Sequence, residues 1–174
     1  MKASNKYLYD SLKKFSCFTT NPIGSKNEVF RKLRDSKLFD DVLIPYVLIK
    51  DTKDVFNFIE KYEKVLLKPT VGNQGRNIIV IQKVNDMYKL IDNNSNKLYS
   101  YSEIFTLLNK KYLNSVYICQ KFIESKTKED TPFDIRLHVR KNEKGQWKKV
   151  KIYPKIGIGK TLLPILVKEA EYLQ

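Results

Sequence analysis

The stretch VLLKPTVGNQGRNIIVI, residues 65 to 81, constrains the fold of this chain more than any other. Two apolar runs, each too short for a stable helix, flank a segment with two glycines, so the chain must turn back between two strands, read at 65–68 and 77–83. A plain turn needs only one or two residues able to take positive φ, and Gly72 or Gly75 alone would serve. The pair of glycines around Asn73 and Gln74 does more, leaving backbone N–H groups exposed with little side-chain bulk, as a phosphate-covering loop requires. Lys68 adds a point charge at the strand end. On these residues alone, the turn and the phosphate loop both stand.

Other elements surround this hairpin. Ser25 with Glu28 three residues on is a capping box, opening a helix with Val29, Phe30 and Leu33 on its apolar side and Lys26 in its first turn. Residues 42–49 read as an apolar strand despite Pro45, and from Asp51 the spacing of Val55, Phe58, Ile59 and Tyr62 is helical. A third strand, 87–91, follows an Asn85-Asp86 turn. Ile104, Phe105, Leu107, Leu108 and Tyr112 mark a helix over 102–113, and 115–123 alternates as a strand. Phe133, Ile135, Leu137 and Val139 then alternate with Asp134, Arg136, His138 and Arg140, predicting a half-buried strand with one apolar and one ionic face. A turn at 142–145 leads into a strand at 146–153, and 161–173 reads as a final helix capped by Thr161.

At 174 residues the chain suits one domain or two small subdomains. Cys17 and Cys119 make no disulfide framework and have no neighbours at metal-ligand spacing, and a single histidine, His138, excludes most histidine-based chemistry. The first residues contain no apolar leader, and no run approaches the ~20 apolar residues of a membrane span. The expectation is a cytoplasmic protein without a membrane partner. Thirty-three Lys and Arg against 19 Asp and Glu give a net charge of +14, which favours anionic partners. About half of that excess lies between Arg140 and Lys160, either a solvated basic hairpin or, through Lys148, Lys149 and Lys151, a weak nucleic-acid surface. Gly157-Ile158-Gly159-Lys160-Thr161 ends as a Walker A loop ends, but Pro154 stands where that motif needs its first glycine.

Four elements occur in an order that resembles the ATP-grasp superfamily, closest to its spore-coat-associated group and to the glutamate ligases acting on ribosomal protein tails. They are Gly24-Ser25-Lys26-Asn27-Glu28-Val29; Val65-Leu66-Leu67-Lys68-Pro69 with Gly72-Asn73-Gln74-Gly75-Arg76; Ile118-Cys119-Gln120-Lys121-Phe122-Ile123-Glu124; and Phe133-Asp134-Ile135-Arg136 with the hairpin to Lys155-Ile156-Gly157. The resemblance implies an α+β fold in which two small subdomains clasp ATP. An N-terminal helical segment would occupy 1–23, the first subdomain with the glycine-rich loop 24–119, and the hinge and an incomplete second subdomain 120–174.

It also implies roles. Lys26 and Lys68 would contact phosphates, the Gly72, Asn73, Gln74 and Gly75 loop would fold over them, and Arg76 would close it. Gln120, Lys121, Phe122 and Ile123 would form the hinge that reads the adenine edge by backbone groups, with Glu124 at the ribose. Asp134 and Arg136 share one strand face and, with Lys155 near the γ-phosphate, would serve catalysis. The implied reaction is carboxylate–amine ligation through an acyl phosphate, on an unidentified carboxylate or amine substrate. Relatives continue to two further strands whose acidic and E-x-N residues bind Mg2+, whereas Glu169 and Glu171 do not form that motif, so the metal ligands stay unassigned. A nucleotide-binding module without catalysis and a basic nucleic-acid-binding protein are the alternative readings.

Overall fold

The computed structural model describes residues 6–16, 24–71, 77–92, 95–112 and 116–157. These residues form two compact units. The larger comprises 24–134 and the segment from 155, and the smaller comprises the N-terminal segment and 135–154. The larger unit is built on a six-stranded sheet in the order β1 (Tyr46–Leu48), β6 (Tyr117–Lys121), β2 (Lys64–Pro69), β3 (Ile79–Val84), β4 (Met87–Ile91) and β5 (Asn96–Tyr99), antiparallel at every pair. Its helices are α2 (Lys26–Ser36), α3 (Thr52–Tyr62) and α4 (Tyr101–Leu107). The smaller unit contains α1 (Lys6–Phe15) and most of a two-stranded ribbon, β7 (Phe133–Lys141) with β8 (Trp147–Ile156). The chain is therefore a mixed α+β protein.

Capping boxes start α2, α3 and α4. At α2 the Glu28 carboxylate accepts from the Ser25 N–H at 2.6 Å while the Ser25 hydroxyl accepts from the Glu28 N–H at 3.3 Å. Asp51 with Asp54 and Ser100 with Glu103 repeat the device at α3 and α4. Each box satisfies two of the orphan N–H groups of a first turn.

Register divides the sheet into two unlike faces. Residues directly opposite each other share a face, so the pairs Val47–Cys119, Leu67–Cys119, Leu67–Ile79 and Val65–Ile81 put these side chains together. They form the hydrophobic core with Val55, Phe56 and Ile59 of α3 and with Ile104 and Leu108. The other face carries Tyr46 opposite Gln120, Gln120 opposite Leu66, and Lys68 opposite Ile118. Two polar side chains in the middle of a sheet thus lie on the face away from the main core.

Several boundaries differ from the sequence expectation. The strand predicted at 42–49 is only Tyr46–Leu48, and 38–42 is a turn. Pro45, which has no N–H to donate to a ladder, stands at its start. The second strand of the hairpin begins at Ile79 rather than 77, because Asn77 takes φ 59° in the turn. The helix predicted over 102–113 is α4 followed by a π-helical turn, Leu108–Tyr112. β5 escaped the sequence reading, and β8 runs on to Ile156. β6 does not alternate in burial, since Tyr117, Ile118, Cys119 and Gln120 are all buried in an interior strand. The ribbon departs most: Ile135, Leu137 and Val139 are 67%, 56% and 42% exposed, because a ribbon of two strands leaves both faces accessible. The glycine-rich loop 72–76, Cys17 and the helix expected over 161–173 lie outside the described residues.

Candidate functional site

The polar face of the large sheet gathers cations at the end of β2. There the α2 N-terminus meets the strand: the Lys26 N–H donates to the Thr70 carbonyl at 3.4 Å and its ammonium to the Pro69 carbonyl at 3.2 Å. One residue before Pro69, the Lys68 ammonium donates to Gln120 Oε1 at 2.6 Å and lies 4.7 Å from the Phe30 ring centroid. Phe30 in turn packs at 5.0 Å on Tyr46, over which the Arg34 guanidinium sits at 5.4 Å. Burial pushes the Lys68 ammonium down to about 8, and the positive charge of Lys26 adds to the effect. This corner holds two ammonium groups in one place, beside the strand end from which 72–76 departs.

At the other end of β2, β6 runs out into the expected hinge. The Lys121 N–H donates to the Pro45 carbonyl at 2.9 Å, and the Phe122 N–H to the Lys64 carbonyl at 3.1 Å. Antiparallel pairing would have residue 45 return a bond to the Lys121 carbonyl, but proline has no N–H. The Lys121 carbonyl therefore faces the β1 edge without its register partner. The Lys64 ammonium covers the Phe122 ring at 4.3 Å. Glu124 is engaged by two cations, Lys64 at 3.6 Å and Lys126 at 3.3 Å, which hold its carboxyl below the ordinary range, Lys64 most strongly. Lys126 also pairs with Asp130 at 2.7 Å.

The structure thus brings Lys26, Lys68 and Gln120 together, and it places Lys121, Phe122, Ile123 and Glu124 along one strand end of the same unit. Asp134 and Lys155 belong to the larger unit and Arg136 to the smaller; Asp134 and Arg136 are exposed, and Lys155 is half-buried. Gly72, Asn73, Gln74, Gly75 and Arg76 lie outside the described residues. Three contributors escaped the sequence reading: the Gln120 side chain, the Phe30 ring and Pro45. Gln120 had a visible signal, as the one carboxamide in the otherwise apolar run Tyr117-Ile118-Cys119.

Among the described residues, no three of His, Cys, Asp and Glu gather in a way that could hold a metal ion, so these residues alone do not fit a magnesium site. Among them also, no helix is long and apolar enough to cross a membrane. The family model for YheC/D-like ATP-grasp proteins matches residues 14–168. The chain is 26% identical over 151 residues to the endospore coat-associated protein YheC of Bacillus subtilis (strain 168), an alignment covering 83% of this chain and 42% of the relative. The chain therefore spans about two fifths of the curated relative it matches. No solved structure matches it at a significant level. A family match across nearly the whole chain, laid over a sheet that carries paired lysines at the end of β2, makes this protein a member of the YheC/D-like ATP-grasp family.

Proposed function

We propose that the larger unit binds ATP for a carboxylate–amine ligase reaction. The observation that carries this reading is the pairing of Lys26 and Lys68 at the end of β2, within a chain of the ATP-grasp family. A half-buried ammonium next to a second ammonium is a poor arrangement for stability and a good one for a polyphosphate, whose charge would neutralise both. In this reading the loop 72–76 folds over the phosphates with Arg76 closing it. Adenine sits at the hinge, its edge read by the Lys121 carbonyl and a backbone N–H just past the end of β6, while Phe122 or Ile123 pads the ring. Glu124 would exchange a lysine contact for the ribose hydroxyls.

The reaction would be transfer of the γ-phosphoryl group: a substrate carboxylate oxygen attacks phosphorus, ADP leaves, and an amine then attacks the acyl phosphate and expels inorganic phosphate. Asp134, Arg136 and Lys155 are the residues assigned to it, Arg136 by bidentate recognition of phosphate or carboxylate. Magnesium would supply charge neutralisation between phosphates, a role for which the described residues supply no ligand set.

The experiment is thermal unfolding and calorimetry with ATP or ADP. Ligand bound by the native state alone raises the melting temperature by mass action, and Lys68→Ala should remove most of the rise. A melting temperature unmoved by millimolar nucleotide but raised strongly by RNA oligomers would replace this reading with the nucleic-acid one. That alternative rests on the basic ribbon, where Lys148 and Lys149 are exposed.

A further inference from the structure

Resting on the nucleotide reading, we infer that Gln120 is a positioning residue: its buried carboxamide holds the Lys68 ammonium between β6 and the Phe30 ring and releases it to phosphate when nucleotide binds. Gln120 is 5% exposed in a strand whose neighbours Ile118 and Cys119 are fully buried. A carboxamide there costs desolvation unless it is hydrogen-bonded. Its oxygen has the partner, at 2.6 Å, and that partner is a cation.

Two contacts then define where a flexible side chain ends. The aromatic face of Phe30, at 4.7 Å, attracts the ammonium from the α2 side, and Gln120 Oε1 accepts a hydrogen bond from it on the β6 side. Lys68 itself stands on β2, opposite Ile118 and two residues along from Leu66, which faces Gln120. The groups facing the ammonium are Lys26 and Phe30 from α2 and Gln120 from β6, so Lys26 is the charged group acting on it and its effect is repulsive. Among the described residues no carboxylate pairs with Lys68, so its positive charge is left for an incoming anion. A neutral acceptor suits that purpose, because it orders the ammonium without neutralising it and yields to a phosphate oxygen. A glutamate at 120 would order the ammonium but would also neutralise it and would not yield to phosphate.

The test combines an NMR titration of the Lys68 ε-methylene with calorimetry of ADP binding, for the wild-type chain, Gln120→Leu and Gln120→Glu. Leucine removes the acceptor while filling similar volume, so the Lys68 titration should move to lower pH, ADP should bind about tenfold more weakly, and the alkaline loss of ADP affinity should begin at lower pH. Glutamate should move the titration to higher pH and also weaken ADP. Circular dichroism separates these effects from misfolding, and if leucine does not fold, the glutamate variant decides through its opposite titration shift. An unchanged titration and unchanged ADP affinity in Gln120→Leu would overturn the inference while leaving the nucleotide reading in place. Failure of the wild type to bind ADP would overturn both, and a titration shift in Gln120→Leu would then mark the contact as purely structural.

Discussion

Replacing Lys68 with methionine should stabilise the fold near neutral pH, and the gain should disappear in alkali. Lys68 has its ammonium pushed from 10.5 down to about 8, chiefly by burial. Each unit of that displacement is worth about 1.4 kcal/mol, so holding the charged form in the native state costs up to ~3 kcal/mol below pH 8. The hydrogen bond from Lys68 to Gln120 favours the charged form and offsets part of this. Methionine keeps the apolar stem against Phe30, removes the charge, and leaves Gln120 Oε1 without its donor at a cost of about 1–2 kcal/mol. The net gain should be about 1–2 kcal/mol near pH 7.

The sign of the pH dependence follows from proton binding. Between the folded value of about 8 and the unfolded 10.5, the unfolded chain holds more protons than the native one, so this group makes stability rise with pH. The wild type should therefore recover about 2–3 kcal/mol relative to Lys68→Met between pH 7 and pH 10, which reverses the order of stability. Urea unfolding of both proteins at several pH values measures the difference directly. A variant destabilised near pH 7, or a difference that does not change with pH, would refute the claim that this lysine is held charged against its surroundings.

Three further outcomes follow from the same sheet. Ile59→Ala removes a fully buried side chain from the core beneath the sheet and should cost about 2–5 kcal/mol in urea unfolding, without changing ADP affinity in folded protein. Asp51→Ala deletes the α3 cap acceptor for the Lys53 and Asp54 N–H groups and should cost about 1 kcal/mol, against a near-silent Asp10→Ala control on α1. Pro45→Ala gives β1 an N–H that can bond the Lys121 carbonyl; calorimetry should then show weaker binding of adenine nucleotides but little change for inorganic triphosphate, and equal weakening of both would sink the hinge assignment.

How much of this was legible in the sequence depended on whether the signal was local. The α2 capping box and the strand at 87–91 emerged as read, because each is decided by residues within one turn or one strand. The caps at Asp51 and Ser100 were equally local, with an acidic residue three positions on, and were open to the same reading. β6 was misjudged as alternating because its burial is set by non-local neighbours: β1 and β2 flank it on both edges. The ribbon failed for the converse reason, since its alternation predicts a buried face only if another element covers it.

The site shows the same division. Lys26 and Lys68 were singled out by motif as expected phosphate contacts, but 43 residues separate Lys26 from its Pro69 acceptor and 52 separate Lys68 from Gln120, so their partners were not visible locally. What the sequence does show is a violated preference at two places: a glutamine in an interior apolar strand and a lysine directly after the apolar run Val65-Leu66-Leu67. Each violation costs stability in isolation. Register brings the two together, because it sets the glutamine and the lysine on one face within hydrogen-bonding distance. Pro45 is tolerated because it stands just before the edge strand β1, where its missing N–H leaves the pairing with β6 one bond short. The lysine at 68 is the departure that the fold does not fully compensate, since its half-buried ammonium stays beside the positive charge of Lys26.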